Sequence, residues 1–168
     1  MKRIGLISDT HGYMDARILH HLTPCDEVWH AGDIGNLGVC DAIDKGKTLR
    51  AVHGNIDGTE VRTNYPENLH FEIEGLVVWL THIAGPPGRY DPRIRTGLTA
   101  NKPGLLVCGH SHICMVKRDM HYGHIHMNPG AAGRHGFHKL RTMLTFAVSM
   151  GKIEELRVVE LGNRSAID

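Results

Sequence analysis

Apolar and polar positions divide this chain into short blocks. Lys2 to Ser8 (KRIGLIS) is a nearly unbroken apolar run of strand length, and Met14 to Leu22 follows with helical spacing and Asp15 near its start. Glu27 to His30 (EVWH) repeats the strand signal, Leu37 to Lys45 the helical one, and Thr48 to His53 (TLRAVH) the strand once more. Strands that alternate with helices predict parallel βαβ units and an α/β layer architecture. The rhythm then changes. LHFEIEGLVVWLTH reads as two strands with a turn at Gly75, so a hairpin is expected. Residues 83–103 are rich in Gly, Pro and Arg and read as a long loop with room for one helical turn, the kind of loop that often carries function. GLLVC is a further buried strand. More β runs lie near Ile113–Asp119, Gly123–Met127, Arg141–Ser149 and Lys152–Leu161. No repeat, low-complexity segment or linker interrupts residues 1–168, so one domain is expected over that span.

Composition narrows the class. A chain of 168 residues, 41% apolar and 22% charged, is of globular type and long enough to bury about 70% of its unfolded surface. A formal net charge of +1 without a basic stripe speaks against long nucleic acid as the partner. No apolar run reaches the length of a membrane span, and Met1-Lys2-Arg3 leads into a strand rather than a signal peptide. Cys25, Cys40, Cys108 and Cys114 have no CxxC spacing, which predicts reduced thiols and a cytoplasmic setting. Histidine is the outlying residue type, with 14 copies.

The histidines and carboxylates collect where strands end. SDTHG offers Asp9 and His11, HAGD offers Asp33, HGN offers Asn55, LTH offers His82, and CGHSH offers His110 and His112. Residues i and i+2 of an extended segment point the same way, so Asp9 and His11 are expected to aim at one point. Ligands of open α/β sheets collect at the carboxyl ends of strands. Seven oxygen and nitrogen donors there can hold two metal ions with one shared ligand. Imidazole with carboxylate, and no thiolate, suits Mn, Fe, Zn, Ni or Co. Gly12, Gly32, Gly54 and Gly109 stand beside the donors, where they let the chain turn sharply. Taken alone, each motif has an ordinary reading as a turn or a cap. All five, each following an apolar run in this order, do not.

This ordered set resembles the calcineurin-like metallophosphoesterase superfamily, and most closely its small single-domain bacterial and archaeal phosphodiesterase branch. The resemblance covers nearly the whole chain. It implies a four-layer αββα sandwich of two mixed β-sheets flanked by helices. It implies two divalent cations, with Mn²⁺ the first expectation and Zn²⁺, Fe²⁺, Ni²⁺ or Co²⁺ as alternatives. Asp9, His11, Asp33 and His112 would hold one ion, and Asp33 would bridge to a second held by Asn55, His82 and His110. Asp33, Asn55 and His82 are the expected catalytic residues. The implied activity is hydrolysis of a small or nucleotide-like phosphodiester by a metal-bridging hydroxide, without a protein nucleophile. A homo-oligomer is compatible with this reading. The alternative is a protein-interaction scaffold, because a eukaryotic retromer subunit resembles the same fold with degraded catalytic residues. Here all seven positions carry competent donors.

Two departures from the family pattern bear on activity. Many relatives place a histidine after the motif asparagine, where it is thought to protonate the leaving group, and this chain has Ile56. Relatives also often read THGH where this chain reads THIAGPPG, which makes the wall beside His82 apolar. Asp57 is expected to support the turn or a ligand. His53 and His135 are candidate phosphate contacts, as are Arg89 and Arg134 for an anion. His20 and His21 read as helix surface, His124 and His126 as strand residues rather than an extra metal site, and Trp29 and Trp79 as core.

Overall fold

The computed structural model describes residues 1–43 and 45–165. Elements run β1 (Lys2–Ile7), α1 (Ala16–Leu22), β2 (Glu27–His30), α2 (Leu37–Asp41), β3 (Thr48–Ala51), α3 (Thr59–Asn64), β4 (Asn68–Ile73) and β5 (Leu76–Thr81). They continue with α4 (Pro92–Asn101), β6 (Leu105–Val107), β7 (Cys114–Arg118), β8 (Ile125–Pro129), β9 (Leu140–Ser149) and β10 (Lys152–Asn163). The strands form two five-stranded mixed sheets, ordered β10-β9-β1-β2-β3 and β4-β5-β6-β8-β7. β1, β2 and β3 are parallel, as the alternating pattern predicts, and so are β5, β6 and β8. β4 and β5 form the expected hairpin, with Ile73 opposite Leu76 and Gly75 at φ 80° in the turn.

The sheets pack face to face. One apolar cluster draws Ile4, Leu6 and Trp29 from the first sheet and Val78, Leu80, Leu105 and Met127 from the second, all buried. Helices cover the outer faces. Ile18 and Leu22 of α1 pack on Ile7, Val28 and Met143 of the first sheet, while Ile94 and Leu98 of α4 pack on Trp79 and Leu106 of the second. This is the four-layer arrangement expected of the family.

Helix expectations held less well. The 83–103 segment contains a ten-residue helix, α4, rather than a single turn. Its N-cap Asp91 accepts from the Arg93 amide at 2.9 Å, Pro92 sits in the first turn, and Ile94 and Leu98 lie one turn apart on the buried face. Gly97 allows that close approach, because a Cβ there would strike the Trp79 indole. α3 was not anticipated; its one buried residue, Val61, leaves no periodic pattern to read. α2 ends at Asp41, short of the expected Lys45, and Asp44 lies outside the described residues. Trp29 and Trp79 are core residues.

Candidate metal centre

The carboxyl ends of the parallel strands in both sheets meet at one edge of the sandwich. Asp9 and His11 follow β1, Asp33 follows β2, Asn55 follows β3, His82 follows β5, and His110 and His112 follow β6. Two groups are compact enough to share a cation each: Asp9, His11 and His112, with ligand atoms within 4.8 Å of one another, and Asp33, His82 and His110, likewise. Asn55 completes the second, its Oδ1 lying 3.0 Å from His82 Nε2 and 3.0 Å from His110 Nδ1. Asp33 stands between the groups, Oδ1 3.3 Å from His82 Nε2 and Oδ2 3.8 Å from His11 Nε2.

The reason Asp9 and His11 meet differs from the alternation argument. β1 ends at Ile7, and both residues lie beyond it in the left-handed region, at φ 53° and 47°. Asp33, His110 and His112 share that conformation, at φ 53°, 68° and 59°. Non-glycine residues rarely adopt it, and clusters of it mark sites where the surrounding fold over-determines the backbone. The turns therefore aim these side chains, not strand pleating. The neighbouring glycines also divide by purpose. Gly12 and Gly32 have positive φ, at 82° and 96°, whereas Gly54 and Gly109 provide space. A Cβ at Gly54 would collide with Asp33 Oδ1, and one at Gly109 with Ser8 Oγ.

Hydrogen bonds outside the donor set fix its orientation. His82 Nδ1–H donates to the Ala31 carbonyl at 2.7 Å, so Nε2 is the ring nitrogen turned toward Asp33 and Asn55. Asp57 behaves as the sequence predicts: its carboxylate accepts from the amides of Gly54 (2.7 Å), Gly35 (2.7 Å) and Ile34 (3.0 Å), tying the Asp33 turn to the Asn55 turn. Arg62 adds bonds to the Asp57 and Gly54 carbonyls. Asn128, at the end of β8, donates to Gly109 O at 2.8 Å and Ser111 Oγ at 3.1 Å and so shapes the GHSH turn. Buried His30 links two more of these turns. The Gly32 amide donates to its Nδ1 (3.2 Å), leaving Nε2–H for Thr10 Oγ1 (2.8 Å), and the Thr10 hydroxyl donates to Ile34 O (3.0 Å).

The donor chemistry fits divalent cations. Asp9 and Asp33 are buried carboxylates, and burying such charge without compensation is costly. Asp9 Oδ2 is satisfied by Ser8 Oγ and the His110 amide, but buried Oδ1 has no hydrogen bond, nor has buried Nε2 of His11 in the same group. Burial lowers the pKa of His11 and of His110, so both rings present lone pairs. Burial also works against charge on His82 and Asp33, yet their mutual hydrogen bond prevails, raising His82 and lowering Asp33. A site that draws a proton onto a buried ring is one that attracts positive charge.

All seven predicted donors lie around this centre. Of the secondary candidates, His135 lines the same cleft of about 470 Å³, its ring 4.8 Å from that of His11. His53 lines a smaller cavity on the far side of Asn55 with Arg62 and Arg93. Arg134 stacks over Tyr13, 4.9 Å from the ring centroid, and Arg89 is not among the residues lining the cleft. His124 and His126 contact the Tyr90 hydroxyl at 2.9 and 3.3 Å and belong to neither candidate metal group among the described residues; His126 lies in β8 and His124 just before it. Sequence reasoning missed Asn128, His30 and His138. The last lies in the cleft, with Nδ1 3.1 Å from His112 Nδ1. The density of histidines in GRHGFH was the available signal.

Comparison with known proteins bears on the family and the fold. The model of the calcineurin-like phosphoesterase superfamily domain matches residues 1–151. A probable metallophosphoesterase of Methanocaldococcus jannaschii is 27% identical over 139 residues, covering 76% of this chain and 67% of that one. Among solved structures, an archaeal protein described as a novel phosphodiesterase superposes with TM-score 0.74 at 19% identity, over 95% of this chain and 99% of the other. The Zn²⁺ complex of Vps29 from Entamoeba histolytica superposes with TM-score 0.71 at 14% identity, over 97% and 99%. These two likenesses establish the fold alone.

Proposed function

We propose, from the premise that the chain belongs to the calcineurin-like phosphoesterase superfamily, that it is a phosphodiesterase dependent on two divalent metal ions. The observation that carries the reading is Asp33, which presents one carboxylate oxygen to His82 and the other to His11. Asp9, His11, Asp33 and His112 would hold one ion; Asp33, Asn55, His82 and His110 would hold the other. The nitrogen and oxygen donor set suits Mn²⁺, Fe²⁺, Zn²⁺, Ni²⁺ or Co²⁺, and the family resemblance puts Mn²⁺ first. When bound, such a pair supplies Lewis-acid charge that activates water and offsets the charge developing on phosphoryl oxygens.

The chain's own residues position and shield. Asp33 lies between the two donor groups and would serve both ions. His82, locked by Ala31, keeps its Nε2 available, and Asn55 offers a neutral carbonyl oxygen that adds no further negative charge against an anionic substrate. His135 borders the cleft and is the nearer phosphate contact of the two histidines considered. Ile56, 48% exposed beside Asn55, cannot protonate a leaving group, so substrates with stable leaving groups are favoured. The substrate class is a small or nucleotide-like phosphodiester.

A second reading has its own observation. Phe137 is fully exposed and Ile113 59% exposed at the mouth of the same cleft, as a docking scaffold would present them. Activity separates the two. The purified chain loaded with Mn²⁺ should hydrolyse bis(p-nitrophenyl) phosphate and lose that activity with a chelator. Metal binding without turnover on any phosphoester would favour the scaffold.

A further inference from the structure

The two ion positions are supported by different means. On the second, His82 is oriented by a backbone carbonyl at the end of β2, so the sheet itself holds the ring. On the first, His112 is oriented by another side chain. His138 Nε2 lies 2.9 Å from the Gly133 carbonyl, which can only accept, so that nitrogen carries the proton. The neutral His138 ring then has a bare Nδ1, and this faces His112 Nδ1 at 3.1 Å. His112 must donate from Nδ1, which turns its Nε2 toward the unsatisfied Asp9 Oδ1, 3.2 Å away.

The segment 133–138 is built around this contact. Gly136 has φ 125°, and a Cβ there would run into the His112 ring. The His112 and His138 rings meet edge to face with centroids 5.0 Å apart. Gly133 N bonds back to the Asp9 carbonyl at 3.2 Å, and Arg164, just past β10, donates from Nε to the His138 carbonyl at 2.9 Å.

We infer that His138 is a positioning residue that sets the tautomer and orientation of His112, so that this segment governs occupancy of the first ion position and not the second. The inference rests on the two-ion reading above. Partners behind a metal-binding histidine are typically worth about 10–100-fold in affinity.

Two measurements on the full chain test it. Long-range ¹H–¹⁵N spectra of the chelator-treated protein report each histidine tautomer without any metal. The expected result is a proton on Nδ1 of His112 and on Nε2 of His138; a His112 ring with no proton on Nδ1 overturns the inference. Calorimetric titration with Mn²⁺ is the second. His138→Leu should weaken one of two binding events about 10–100-fold and leave the other within about twofold. His138→Asn, whose carbonyl oxygen can replace the Nδ1 acceptor, should recover most of the loss. Unchanged binding in His138→Leu, or equal weakening of both events, overturns the inference. If the wild-type chain binds no Mn²⁺, the metal-dependent function fails, while the tautomer spectrum still decides the role of His138. Should His138→Leu not fold, the spectrum and the Asn variant carry the test.

Discussion

Asp33 Oδ1 lies 3.3 Å from His82 Nε2, while its other oxygen is directed at His11 across the centre. In the two-ion function proposed above, a carboxylate so placed would serve both ions. Asp33→Ala should therefore reduce Mn²⁺ stoichiometry from two to none at micromolar metal, whereas His82→Ala should lose one equivalent. Metal analysis after gel filtration reads the difference. A single equivalent retained in Asp33→Ala would show that the carboxylate does not bridge.

Asp57 joins two donor turns through three charge-assisted bonds to backbone amides. Replacement by alanine leaves buried donors unpaired and should cost about 3 kcal/mol of stability. Because Gly54 and Ile34 adjoin Asn55 and Asp33, Mn²⁺ affinity should fall along with the melting temperature. A variant that melts earlier but binds metal like the wild type would restrict Asp57 to a folding role.

Ile56 occupies the slot in which relatives often carry a proton donor. Ile56→His should raise turnover most for poor leaving groups, by at most about 10²–10⁴-fold, and little for p-nitrophenolate. Comparing kcat for alkyl and aryl diesters reads this dependence. Equal gains on both would point to tighter binding rather than proton transfer.

Acid stability should be governed by buried histidines. Burial pushes His30 and His126 down to about 4 from an ordinary value of 6.5. Below pH 6.5 the unfolded chain takes up protons that the folded chain excludes until about pH 4. Stability therefore rises with pH between 4 and 6.5 and levels off above, with a slope of up to about 1.4 kcal/mol per pH unit for each group. Melting temperatures of the metal-free chain at pH 5 and pH 7 check the sign. A flat profile across that window would mean that these rings protonate in the folded state.

Composition of the site was legible in the sequence because its chemistry is written in residue type. Asp9, His11, Asp33, Asn55, His82, His110 and His112 each follow an apolar strand, and parallel strands must end on the same side. The alternating βαβ pattern of residues 2–53 likewise follows from burial periodicity. The tertiary structure alone decided how the donors are aimed. Left-handed turns at Asp9, His11 and Asp33 depend on contacts with the neighbouring turns, such as the Asp57 carboxylate, and no local pattern encodes them. α3 and α4 were illegible for a related reason. One is held by a single buried valine, and the other by the packing of Gly97 on Trp79, a residue 18 positions away. His138 shows the same limit. Its Nδ1 acquires a role only because the chain returns after β8 to lay it against His112, 26 residues earlier, and sequence spacing carries no record of that approach.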